Sequence, residues 1–108
     1  MTEKFRMLIY REALPAGSRL PSVRQLAMEL SINPNTIQRA YTELEQEGLI
    51  YPVKGKGNFV AESDQILKIK KEDYHKEFMQ TVRKGKNLGV QMEEMVQAIN
   101  VCYEEEDQ

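Results

Sequence analysis

Asn35, Thr36, Gln38 and Arg39 stand close together in SINPNTIQRAYTELEQEG, residues 31–48, a stretch with helical spacing. Asn and Gln side chains can make paired hydrogen bonds to adenine, Arg can do the same to guanine, and a Thr methyl can touch thymine. On a helix starting at Pro34, Ile37, Ala40, Tyr41 and Leu44 form one apolar face. Asn35, Arg39 and Thr42 lie nearly opposite, with Gln38 at the flank. A merely solvated face favours Lys and Glu, which support helices through propensity and i, i+4 pairs. This face uses amides, hydroxyls and one guanidinium, so its chemistry suits base edges. The acids Glu43, Glu45 and Glu47 fall in the C-terminal half, away from the end that would enter a major groove. The helix start also offers backbone amides to phosphate.

Two further groups fit a polyanion. Lys54-Gly55-Lys56-Gly57 would bring backbone and two lysines close to phosphates or a minor groove, although a solubilised turn has the same composition. Arg24, with Ser22 beside it at the start of another helix, suits a phosphate, and taken alone would equally be an ordinary surface arginine.

The elements that must position these groups can be read from punctuation. Residues 2–12 have Phe5, Leu8 and Ile9 at helical spacing, and Leu14-Pro15-Ala16-Gly17 stops the run. Ser22, with Gln25 three residues on, is a capping-box start for a second helix carrying Val23, Leu26, Ala27 and Leu30. Ser31-Ile32-Asn33 connects to the third, where Asn33 caps, Pro34 occupies the first turn and Gly48 closes. Two helices joined by so short a connection must turn sharply, the helix-turn-helix arrangement. Strand-like runs 49–53 and 58–61 then flank the Lys-Gly turn, and Pro52 confines the first to an edge. The order predicts a mainly α fold with a small β-hairpin, a winged helix-turn-helix over 1–62.

Residues 63–108 read as two helices, about 64–84 and the stretch after Asn87-Leu88-Gly89. Leu67, Tyr74, Phe78 and Val82 form a ragged stripe on the first; Met92, Met95, Val96, Ile99, Cys102 and Tyr103 form a regular one on the second. Two such helices bury little on their own, so the stripe must pack on the winged helix or on a second copy of the chain. Tyr74, Phe78, Met92, Met95, Val96, Ile99 and Tyr103 are the candidate dimerisation residues. The closing EEEDQ is expected to fray, since acids at a helix C-terminus oppose the macrodipole.

Composition agrees with this division. The 108 residues carry a net charge of −2. Residues 1–61 hold eight basic and six acidic side chains, and the remainder seven and eleven. Only the first part is a plausible partner for phosphate. No apolar run approaches the roughly 18 residues of a membrane span. Glu3, Arg6, Arg11 and Glu12 interrupt any signal-peptide core, and the single cysteine fits a reducing compartment, so a cytoplasmic location is expected. An enzyme is disfavoured: His75 is the only histidine, without a nucleophile partner in its lysine-rich helix, and Cys102 sits on an apolar stripe where burial is expected. No Walker spacing and no Cys/His metal pattern is present, so neither cofactor nor metal is expected. A winged helix acting only as a protein-interaction module is the competing class.

The stretch 14–60 resembles the DNA-binding domain of the GntR family of bacterial transcription regulators. The resemblance is carried by Gly-x-x-Leu-Pro-Ser-x-Arg at Gly17–Arg24, Asn-Thr-Ile-x-Arg-Ala-Tyr at Asn35–Tyr41, Leu44-Glu45 with Glu47-Gly48-Leu49, and Gly55-x-Gly57 before Phe59-Val60. The tail, including LGVQMEEMVQAI, is similar to the two-helix dimerisation arm of the YtrA-like subfamily. The resemblance implies a homodimer on an inverted-repeat double-stranded DNA operator, usually as a repressor, with Arg24 at a DNA-contacting position. Pro34 and Gln38 stand where other branches often carry arginine, which moves weight onto Asn35, Thr36 and Arg39. The family often has an Ile-Tyr-x-Gln-Ile segment ahead of the first helix, so the numbered chain is expected either to lack a natural beginning or simply to start late. About 45 residues of arm leave little room for an enclosed effector pocket of some 300 Å³, and the effector is unknown.

Overall fold

The computed structural model describes residues 1–105, in the order α1 (Thr2–Tyr10), α2 (Val23–Leu30), α3 (Pro34–Gln46), β1 (Ile50–Val53), β2 (Gly57–Val60), α4 (Ser63–Asn87) and α5 (Met92–Glu104). Packing divides the chain into two compact units, Met1–Lys71 and Glu72–Gln108. The charge change near Glu62 thus precedes the packing change, because Ile66 and Ile69 of α4 are buried in the first unit's core.

Local chemistry fixes the helix ends. The Ser22 hydroxyl accepts from the Gln25 amide at 3.0 Å, and Asn33 Oδ1 accepts from the Asn35 amide at 2.8 Å. Only half of the expected capping box forms, since the Gln25 side chain turns to Glu29 instead. α3 ends in a Schellman turn, with Leu49 N–H donating to Leu44 O and Gly48 N–H to Glu45 O. Gly48 sits at φ +83, and a Cβ there would come within 3.0 Å of Gln65 and 3.4 Å of Ile69. The positive φ calls for glycine, and the crowding adds to that preference. α2 ends in the same pattern with Ser31, at φ 54, in the left-handed position.

The core of the first unit is built on α3. Ile37, Ala40, Tyr41 and Leu44 are all buried, against Phe5 and Ile9 of α1, Leu26 and Ala27 of α2, and Leu49, Ile50 and Val60 of the hairpin. Several expectations shift by a residue or more. α1 stops at Tyr10, Glu12 adopts φ 62 beyond it, and Leu8 is half exposed. On α4, Ile66 and Ile69 bury in place of Leu67, and the helix runs to Asn87.

The hairpin is antiparallel, pairing Ile50 with Val60, Tyr51 with Phe59, Pro52 with Asn58 and Val53 with Gly57. Residues 17–20 add a third, strand-like rung along β2. Gly17 N–H donates to Val60 O, Val60 N–H to Ser18 O and Leu20 N–H to Asn58 O. β1 is therefore an edge, where the missing N–H of Pro52 costs nothing.

In the second unit, the C-terminal part of α4 turns into α5 through a left-handed Gly89 at φ +90. Phe78, Val82, Gly85, Val90, Met95 and Ile99 surround an open-sided apolar cavity of about 290 Å³. Met92, Val96, Ile99 and Tyr103 are exposed in the single chain, as is Tyr74, while Phe78 and Met95 are half-buried. Cys102, expected to be buried, is exposed too: α4 half-covers Met95, but no described residue of α5 is fully buried. Of the closing acids, Glu104 is the last helical residue; the expectation of fraying over 106–108 lies outside the described residues.

Candidate nucleic-acid interface

Asn35, Thr36, Gln38 and Arg39 are all exposed on α3, opposite its buried stripe. Burial of Ile37, Ala40, Tyr41 and Leu44 fixes the rotation of the helix, so this face points outward by necessity. Gln38 is already oriented: its Nε2 donates to Thr42 Oγ1 at 3.2 Å, while the Thr42 hydroxyl donates to Gln38 O at 2.9 Å. One amide hydrogen and the amide oxygen remain for a base edge.

The amides at the start of α3 do not serve phosphate as expected. Pro34 has none, the Asn35 amide goes to Asn33 Oδ1, and the Thr36 amide goes to Asn33 O. α2 takes that role. Its Val23 and Arg24 amides meet no acceptor among the described residues, and the Ser22 hydroxyl, already accepting from Gln25, keeps its hydrogen for donation. Arg24 and Arg39 make no ion pair among the described residues.

The segment 17–24 joins the three parts. Gly17, Ser18 and Leu20 are hydrogen-bonded to β2, the Pro21 carbonyl accepts from the Tyr41 hydroxyl of α3 at 2.8 Å, and Ser22 begins α2. A single stretch of backbone thus ties the hairpin, α3 and the start of α2 into one surface. Burial of Tyr41 pushes its phenol up to about 12. Phe5 holds the same ring edge-on, with centroids 5.6 Å apart.

Sequence reasoning missed how the acids of α3 are disposed. Arg6 forks onto Glu47, Nε to Oε1 at 2.8 Å and Nη2 to Oε2 at 2.6 Å, and also pairs with Glu3. Thr2 Oγ1 donates to Glu43 Oε2 at 2.5 Å. α1 therefore ties up two of the three acids near the polar face, and the paired carboxylate of Glu47 raises the Arg6 guanidinium's affinity for its proton. At the hairpin tip, Lys54, Gly55 and Lys56 are exposed, and residues 49–61 contain no acid. Gly55, at φ +78 in a turn closed by Lys56 N–H to Val53 O, has open space around it.

A sharply turned helix pair, an amide-rich outward face on the second helix, and a cationic hairpin beside them make up a winged helix suited to duplex DNA. The family model described as "Bacterial regulatory proteins, gntR family" matches residues 2–60. The chain belongs to the GntR family. It is 40% identical over 101 residues to the uncharacterised HTH-type transcriptional regulator YhcF of Bacillus subtilis, covering 93% of this chain and 83% of that protein. It is 39% identical over 61 residues to the HTH-type transcriptional repressor YtrA of the same organism, covering 56% of this chain and 47% of YtrA. A solved GntR family transcriptional regulator from Listeria monocytogenes superposes with a TM-score of 0.73 at 31% identity, over 92% of this chain and 88% of that one. As a GntR-family member the protein is a DNA-binding transcription regulator. No described helix is long and apolar enough to cross a membrane.

Proposed function

We propose that this regulator is a cytoplasmic repressor that binds an inverted-repeat operator as a homodimer. In this reading residues 1–62 bind DNA and residues 63–108 dimerise. Asn35, Thr36, Gln38 and Arg39 read bases in the major groove. Ser22 and Arg24 meet phosphate, and Lys54, Gly55, Lys56 and Gly57 follow the backbone or the adjacent minor groove. Tyr74, Phe78, Met92, Met95, Val96, Ile99 and Tyr103 form the dimer core, and no catalytic step is assigned.

The observation that carries the reading is the α3 face: exposed, free of lysine and acid over Asn35–Thr42, and flanked by acids that α1 has drawn aside. Dimerisation is supported by the exposed apolar stripe of α5, which a lone chain leaves in water. Repression is supported by the description of the YtrA relative as a repressor.

Selection from a randomised duplex library, followed by sizing of the complex, tests this reading. The expected product is an inverted repeat bound by two protomers, with half-sites about one helical turn apart. Recovery of no preferred sequence would leave the winged helix as a protein-interaction module.

A further inference from the structure

We infer that Arg19 is a DNA contact of the wing, its guanidinium held along the sheet toward the hairpin tip by the space that Gly57 leaves open, and directed into the minor groove beside the base-reading helix. The inference rests on the DNA-binding reading of the hairpin. Arg19 bridges Phe59 across the antiparallel pairing of residues 17–20 with β2, and Phe59 in turn pairs with Tyr51. Directly opposed residues share a face of a sheet. Arg19, Phe59 and Tyr51 thus form one row on the outer face, while Leu20, Val60 and Ile50 form the buried face behind it.

Gly57 lies two residues along β2 from Phe59, the diagonal position that a long side chain reaches. A Cβ at Gly57 would lie 3.3 Å from Arg19 Nε and 3.7 Å from Nη2. The guanidinium therefore lies close against the bare Cα of Gly57, where a side chain would crowd it, and Gly57 at φ +106 is in a conformation that only glycine holds easily. Gly57 lies toward the tip, where Lys54 and Lys56 are exposed. Arg19 is exposed and makes no ion pair among the described residues. A cation aimed at an acid-free tip, without a carboxylate to hold it there, is arranged for an external anion. A planar guanidinium fits the narrow minor groove of A·T-rich DNA, whose negative potential is enhanced, better than a hydrated ammonium does.

The test compares wild type, Arg19→Ala, Arg19→Lys and Lys56→Ala on the duplex that wild type recovers from the randomised library, at about 50 and 200 mM salt. Variants with A·T-rich and mixed flanks are used, and each protein is checked by thermal melting. Arg19→Ala is expected to weaken binding about tenfold or more and to lower the salt slope by roughly one per protomer. Arg19→Lys is expected to keep the slope but lose the preference for A·T-rich flanks. If Arg19→Ala matches wild type in affinity and flank preference while Lys56→Ala weakens binding, the inference is overturned and the wing reading stands. If neither substitution matters, the hairpin does not meet DNA and both fall.

Discussion

The Tyr41 hydroxyl of α3 donates to the Pro21 carbonyl, 2.8 Å away and one residue before the cap of α2. The bond couples α3 to the start of α2, the two elements proposed to read bases and to meet phosphate, and in that reading it helps set the spacing of Arg24 from Arg39. Tyr41→Phe is expected to cost about 1–2 kcal/mol in denaturant unfolding, since a partly buried carbonyl loses its donor. It should also weaken operator binding by more than the fraction unfolded explains. Equal operator affinity for the two proteins would show that the bond stabilises without positioning.

The same phenol sets an alkaline limit. Burial raises Tyr41 to about 12, whereas an unfolded tyrosine titrates near 10. Between those values the unfolded chain binds fewer protons than the folded one, so stability falls as pH rises through that window, and it is fully present below about 10. Unfolding free energies measured across the range should decline less in Tyr41→Phe than in wild type.

The Arg6–Glu47 fork joins residues 41 positions apart. Both partners are partly buried and the contact is bidentate, so a double-mutant cycle with Arg6→Ala and Glu47→Ala is expected to give a coupling of about 1 kcal/mol. Arg6→Ala alone releases Glu47 beside the DNA-binding face and should weaken operator binding. Glu47→Ala, which removes the charge, should weaken it less. The reverse order in an anisotropy titration would show that α1 does not shield the helix.

The arm should carry dimerisation. Val96→Glu with Ile99→Glu places charge on the exposed α5 stripe and is expected to give monomers by light scattering, with an unchanged first unit. A chain shortened to residue 71 is expected to be monomeric and folded, whereas one ending at Glu62 should unfold. The shorter chain lacks Ile66 and Ile69, two core side chains that each contribute roughly 1.5–3 kcal/mol. A dimeric 1–71 fragment would place the interface elsewhere.

The helix-turn-helix was readable residue by residue because its signals are local. Ser22, Asn33, Pro34 and Gly48 each act within a turn of where they stand, and the two helices begin where those residues place them. Long-range relationships left no such trace. Nothing in Gly-Ser-Arg-Leu alternates like a strand, so its pairing with β2, and with it the position of Arg19, shows only in the folded chain. Position in the C-terminal half of α3 says nothing of what Glu43 and Glu47 pair with; their contacts to Thr2 and Arg6 of α1 show only in the folded chain. The stripe of α5 was legible as apolar, but period alone does not say which surface covers it.

Reading and anchoring should separate by mutation. Arg39→Ala and Gln38→Ala are expected to cost about 1–3 kcal/mol each and to relax preference at particular operator positions. Thr42→Val, which keeps the shape but removes the acceptor that orients Gln38, should relax the Gln38-dependent position alone. Lys56→Ala should instead weaken all sequences alike and lower the salt slope by roughly one per protomer. With about six to ten phosphates engaged by two winged helices, wild-type affinity should fall on the order of 10³-fold or more between about 50 and 200 mM salt, despite the acidic pI. The signatures differ because base contacts carry sequence information while phosphate contacts only position the protein. If Arg39→Ala and Gln38→Ala keep both the preferred sequence and the affinity, with the fold intact by circular dichroism, then the α3 face is merely solvated and specificity arises from the wing or from DNA shape.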